Sequence, residues 1–92
     1  MIKTFKSAAL KELFETGESR RIDTKLQKRA KGRLDALNAT RDLRALFRPG
    51  FELHKYPNFA NRWSISVSGP WRIFFDWINN EAYNVDLVQP HG

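Results

Sequence analysis

The feature that most constrains the fold is a change of hydrophobic period at Pro49-Gly50. Before it, apolar residues recur three and four positions apart, as on one side of a helix; beyond it they alternate with polar ones, as on a half-buried strand. Helices first and strands afterwards predict an α+β domain, with two or three N-terminal helices packed on one face of a small antiparallel meander. A chain of 92 residues has room for one core, so residues 1–92 are read as a single domain.

In the first half, Leu10, Leu13 and Phe14 predict a helix over Ser7–Thr16 that Gly17 stops, and Phe5 is a candidate for a short strand. A second helix is expected from Asp23 or Thr24 to Asn38 or Ala39, opened by a capping box of Thr24 and Gln27. Leu26, Ala30, Leu34 and Leu37 form its buried stripe. Lys25, Lys28, Arg29 and Lys31 fall on the opposite side, with Arg33 at the border. Thr40 is placed as the cap of a short third helix through Leu43 and Leu46.

In the second half, Phe51–Lys55, Arg62–Ser68, Trp71–Ile78 and Ala82–Val88 read as strands, joined in part by Ser68-Gly69-Pro70 and Asn79-Asn80 turns. Parity turns Phe51, Leu53, Trp63, Ile65, Val67, Ile73, Phe75, Trp77, Tyr83, Val85 and Leu87 toward the helices. It leaves Glu52, His54, Arg62, Ser64, Ser66, Ser68, Arg72, Phe74, Asp76, Asn84 and Asp86 on the open face.

The net charge of +6 makes a polyanion the first partner to consider. It is unevenly placed. Residues 1–48 carry 13 basic and 6 acidic side chains, whereas residues 49–92 carry 3 and 4, so attraction and chemistry are sought in different halves. Without cysteine there is no disulfide framework or thiolate chemistry, which suits a cytoplasmic setting. No metal site and no cofactor are expected, because the two histidines lack metal-ligand spacing and no glycine-rich phosphate loop or nucleophile elbow occurs. No apolar run is long enough to cross a membrane, and the N-terminus has no signal-type hydrophobic stretch.

RNA cleavage without a metal needs a base for the 2′-hydroxyl, an acid for the leaving 5′-oxygen and cations around the phosphate. His54 and His91 are the two imidazoles, and Arg62 and Arg72 share the open face with His54; their donor forks suit phosphate oxygens. Each residue also has a plainer reading. His54 can be a half-exposed strand histidine, His91 a frayed terminal one, Arg72 the partner of Asp76, and the basic helix face merely solvated. Phe74 breaks the polar pattern of its face, as a base-stacking residue or as the rim of the core.

The segments Met1-Ile2-Lys3-Thr4-Phe5, Leu10–Gly17, Trp63-Ser64-Ile65-Ser66-Val67, Trp71-Arg72-Ile73-Phe74-Phe75 and Ala82-Tyr83-Asn84-Val85, with a histidine at the end, together resemble the HigB toxins of the RelE/ParE superfamily. The resemblance covers essentially the whole chain. It implies N-terminal helices on a small antiparallel sheet, and a toxin that cleaves messenger RNA at the ribosome by attack of the 2′-hydroxyl on its own phosphate. It also implies neutralisation by a HigA-type helix-turn-helix antitoxin, with operator DNA reached only through that partner. Carried over by position, His54 corresponds to a proton-transfer histidine, Arg72 to the phosphate-stabilising arginine and His91 to the C-terminal histidine. RNA contacts are then expected at Lys25, Lys28, Arg29, Lys31, Lys55 and Arg62.

Gln89 and Pro90 stand where the family's ending has Asp and Tyr, so the carboxylate and aromatic hydroxyl before His91 are missing. A binding module of the same fold without effective chemistry is the alternative, and a ParE-type gyrase inhibitor a more distant one.

Overall fold

The computed structural model describes residues 1–89. Two α-helices, α1 (Ala8–Thr16) and α2 (Thr24–Ala39), and a single 3₁₀ turn at Leu43–Leu46 precede four strands: β1 (His54–Lys55), β2 (Arg62–Ser68), β3 (Trp71–Ile78) and β4 (Glu81–Val88). The strands form one antiparallel sheet in the order β1-β2-β3-β4. This is the α+β arrangement expected from the change of period.

Local chemistry accounts for the helix ends. Ser7 caps α1 by accepting from the Leu10 N–H at 3.1 Å, and Gly17 ends it at φ +89°, a left-handed turn that costs glycine nothing. The expected capping box at α2 does not form. Asp23 caps the helix by accepting from the Lys25 N–H at 2.9 Å, and Gln27 turns back to the preceding loop, bonding Ser19 and Ile22. An amide that satisfies three backbone groups of the loop's two buried residues, Ser19 and Ile22, outcompetes a reach to the cap itself. Thr40 is likewise the C-cap of α2, and Asp42 caps the 3₁₀ turn in its place.

Leu10, Leu13, Leu26, Ala30, Leu34, Leu37 and Leu46 meet Phe51, Ile65, Val67, Ile73, Phe75, Ala82 and Val85 in one core. The helices lie over one sheet face, α2 on β2 and α1 against α2 and β4. The N-terminal segment runs beside β4, with parallel bridges from Ile2 to Ala82 and from Phe5 to Val85, so one sheet edge is not left bare.

Two irregularities alter the parity reading. Between Ser66 and Ser68 a bulge inserts Val67, and Ser68 then pairs with Trp71 rather than lying with Arg72 on the open side. Between Asp76 and Phe74 the strand β4 carries two residues, Asn84 and Val85, against one. Asn84 takes φ +56°, and its N–H is accepted by Thr4 Oγ1 at 2.8 Å. Before this bulge Tyr83 pairs with Asp76, so Tyr83 leaves the core it was assigned to and Ala82 fills that role. The expected first strand also shortens to His54–Lys55, because Glu52 turns through φ +45°.

Candidate active site

On the open face, His54, Ser64 and Phe74 lie in one row, since His54 pairs with Ser64 and Ser64 with Phe74. Ser64 was expected to be a surface residue; it is fully buried. The reason is the residue above it. Tyr56, two positions after His54 and so on the same side of the chain, lays its ring on Phe74 at 5.1 Å between centroids and 26° between planes. Its hydroxyl reaches Ser64 Oγ at 2.9 Å. The small Ser64 side chain is thus buried beneath the stack with its hydroxyl paired to that of Tyr56. Ser66, also expected to be open, is buried next to it.

Arg72 uses the same hydroxyl. Its Nε donates to Ser64 Oγ at 2.7 Å, and its Nη2 donates to the Glu52 carbonyl, which the positive φ of Glu52 turns into reach. Nη1 has no partner among the described residues, so one arm of the fork remains for a ligand. The ring of His54 stands edge-on to Tyr56 at 4.5 Å, exposed and without a hydrogen bond among the described residues. A groove of about 590 Å³ is lined by Glu52, Leu53, His54, Tyr56, Gly69, Pro70 and Arg72. The structure thus brings His54 and Arg72 to one groove. His91 lies outside the described residues; β4 ends at Val88, the register partner of Arg72.

Tyr56 was missed in the sequence. Its signal was the alternation of His54 and Tyr56, hidden by reading the strand as finished at Lys55 ahead of Pro57. Arg33, placed at the border of a solvated face, is a second structural surprise. Its Nε donates to the Ser66 carbonyl at 2.8 Å and its Nη2 to the Gly50 carbonyl at 3.3 Å, while the guanidinium lies 4.1 Å from the centre of the Phe51 ring. It clamps the segment that carries the Glu52 carbonyl. Burial, and then the charges of Arg29 and Arg48, lower its pKa.

Arg72 is not the partner of Asp76. Arg62 is, with Nε to Oδ1 at 2.9 Å, and Asn84 Nδ2 donates to the other carboxylate oxygen at 3.0 Å. Burial opposes ionisation of Asp76, but these two hydrogen bonds and the charge of Arg62 outweigh it and hold the carboxyl below its ordinary range.

The remaining basic positions divide by location. Lys25, Lys28 and Arg29 are exposed on α2, and none of them lines the groove. Lys31 is drawn to Asp35 at 2.6 Å and lies 5.3 Å from the Phe14 ring centre. Lys55 pairs with Trp63 and rests over its indole at 5.2 Å, on the side opposite His54. Arg62 borders a second groove on the open face.

Among the described residues, no three His, Asp or Glu side chains gather as metal ligands would, and no helix is long and apolar enough to cross a membrane. A family model described as the RelE-like toxin of type II toxin–antitoxin system HigB matches residues 3–91. The chain is 36% identical over 94 residues to a Proteus vulgaris protein named Endoribonuclease HigB, spanning 99% of this chain and 100% of that protein. Matched along nearly its whole length on both counts, the chain belongs to the HigB family of RelE-like toxins of type II toxin–antitoxin systems.

Proposed function

We propose that this toxin is an mRNA endoribonuclease that acts on the ribosome, and that His54, Arg72 and His91 carry the reaction. The observation that supports it most is the shared groove of an exposed imidazole and a guanidinium already fixed on two of its nitrogens. The kinship with a protein named as an endoribonuclease points the same way.

In this reading the 2′-oxygen forms a bond to the adjacent phosphorus as the bond to the 5′-oxygen breaks. One histidine takes the 2′-hydroxyl proton and the other delivers a proton to the departing 5′-oxygen, leaving a 2′,3′-cyclic phosphate and a 5′-hydroxyl. Arg72 meets the charge that builds on the phosphoryl oxygens. Because Ser64 and Glu52 hold it beforehand, little reorganisation is needed as that charge appears. Tyr56 limits where the His54 ring can sit.

Lys25, Lys28 and Arg29 are exposed on α2 and do not line the groove, which suits docking on a large RNA such as ribosomal RNA rather than gripping the cleaved strand. The antitoxin we propose is a HigA-type helix-turn-helix protein encoded beside the toxin, through which the pair reaches operator DNA. Co-purification with the product of the neighbouring reading frame tests that partner.

The decisive experiment compares wild type with His54→Ala, Arg72→Ala and His91→Ala on mRNA, free and on programmed ribosomes. Cleavage confined to ribosome-bound message and reduced in each variant is expected. Equal activity in all four overturns the assignment. Growth arrest that survives the triple alanine variant means a binding module, and DNA breaks without mRNA cleavage mean a gyrase inhibitor.

A further inference from the structure

Where α2 passes the Pro49-Gly50 link, two guanidiniums collect on one aromatic ring. Arg33 and Arg48 lie 4.1 Å and 4.8 Å from the centre of Phe51, which is itself buried. Arg29 stands one helical turn before Arg33 on the same side of α2. After burial, the charges of Arg29 and Arg48 are what lower the Arg33 pKa, so the three cations feel one another. Like charges so placed disfavour the fold, and they are retained here without relief. Lys31 and Arg62 also lie over aromatic rings, yet each is drawn to a carboxylate, Asp35 and Asp76. Arg29, Arg33 and Arg48 have no acidic partner among the described residues.

From this arrangement we infer that Arg29, Arg33 and Arg48 form a binding site for backbone phosphates of RNA, with the ring of Phe47 offered to a neighbouring base. The inference deepens the docking role proposed for α2 and rests on the ribosome reading for where such RNA is met. Arg33 is held without being filled. Its Nε and Nη2 are spent on the Ser66 and Gly50 carbonyls, and Nη1 has no partner among the described residues. A guanidinium fixed in this way loses little freedom when a phosphate oxygen arrives. Arg29 and Arg48 are exposed and make no side-chain hydrogen bond among the described residues, so their forks are open. An anion among the three replaces repulsion by charge-assisted hydrogen bonds. Phe47, beside Arg48 in the chain, is 66% exposed. An aromatic face next to guanidiniums suits a ligand that carries bases as well as phosphates, which a carboxylate-rich peptide does not.

Two measurements on the whole protein test the site, with Arg33 left in place because it also holds the fold. In the first, a fluorescent RNA hairpin is titrated at several salt concentrations. Arg29→Gln combined with Arg48→Gln should weaken binding about tenfold at low salt and reduce the slope of log K against log salt by about two. Phe47→Ser should weaken it about fivefold with the slope unchanged. Hexaglutamate that displaces the hairpin as well as unlabelled RNA does would overturn RNA as the ligand in favour of an acidic protein. In the second, inorganic phosphate replaces chloride at equal ionic strength. It should raise the melting temperature of wild type and of Phe47→Ser by about 2–3 °C, and that of the double variant by less than about 1 °C. Without phosphate the double variant should melt within about 2 °C of wild type, since it loses repulsion together with its ring contact. A larger drop marks the arginines as structural and overturns the site. Equal hairpin binding by wild type and the double variant overturns it even in a toxin that cleaves mRNA on the ribosome. Loss of hairpin binding in the double variant, where wild type cleaves no message, sinks the ribonuclease reading and leaves the site standing.

Discussion

Arg72 Nε lies 2.7 Å from the hydroxyl of Ser64, a residue with no exposed surface whose oxygen also meets Tyr56 at 2.9 Å. One buried hydroxyl therefore sets both the cation of the groove and the aromatic that borders its histidine. Ser64→Ala removes that shared partner. It should cost about 1–2 kcal/mol of stability and lower mRNA cleavage about tenfold, because the guanidinium loses one of its two anchors. Ser64→Val adds bulk under the stack and should be worse on both counts. Chemical denaturation and cleavage assays on the same preparations check this.

Arg72→Lys keeps the charge and loses the fork. A lysine ammonium cannot hold Ser64, the Glu52 carbonyl and a phosphate in one plane, so cleavage should fall by about a hundredfold. Association with ribosomes should change less than twofold, since the net charge is unaltered. A binding loss as large as the catalytic loss would show that Arg72 serves docking.

Asp76 and Asp42 give the acid limb of stability a definite sign. Arg62 and Asn84 lower the Asp76 pKa, and hydrogen bonds from Arg44 lower that of exposed Asp42 to about 2. A carboxyl depressed on folding contributes stability above its unfolded value, near 3.9, and loses it as pH falls through the folded one. Asp76→Asn should therefore flatten the loss of melting temperature between about pH 4 and 2. Asp42→Asn should change it less, because water screens that exposed pair. Thermal melts across this range decide the matter.

Basic residues on α2 should govern the salt dependence of RNA association. Replacing Lys25, Lys28 and Arg29 together by Ala should reduce the slope of log K against log salt by about two to three. Lys31→Ala alone should matter less than any one of these, because its ammonium is already paired with Asp35. Cleavage within complexes already formed should stay near wild type, as none of the three residues lines the groove.

Much of this architecture was legible from pattern. The stripe of Leu26, Ala30, Leu34 and Leu37, the Gly17 stop and the Asn79-Asn80 turn follow from local rules, and all stand in the structure. Parity also set His54 and Arg72 on one face. It failed where the backbone departs from strict alternation. The bulge at Asn84 and Val85 exchanges Tyr83 for Ala82 in the core, and the bulge at Val67 removes Ser68 from the open face. An inserted residue leaves no mark in composition, because its energetic reason is a distant one: Thr4 satisfies the N–H that the bulge frees, eighty positions away.

The sequence by itself determined the order of helices and strands, the buried stripes, the uneven charge and the family, since each depends on residue types at short spacing or along the whole chain. Only the tertiary structure decided which polar groups meet. Arg62 rather than Arg72 takes Asp76, Arg33 leaves its helix to clamp the Glu52 segment, and Ser64 disappears beneath Tyr56. Such pairings are settled by strand register and by the need of buried donors and acceptors for partners, and neither is a property of one stretch of chain.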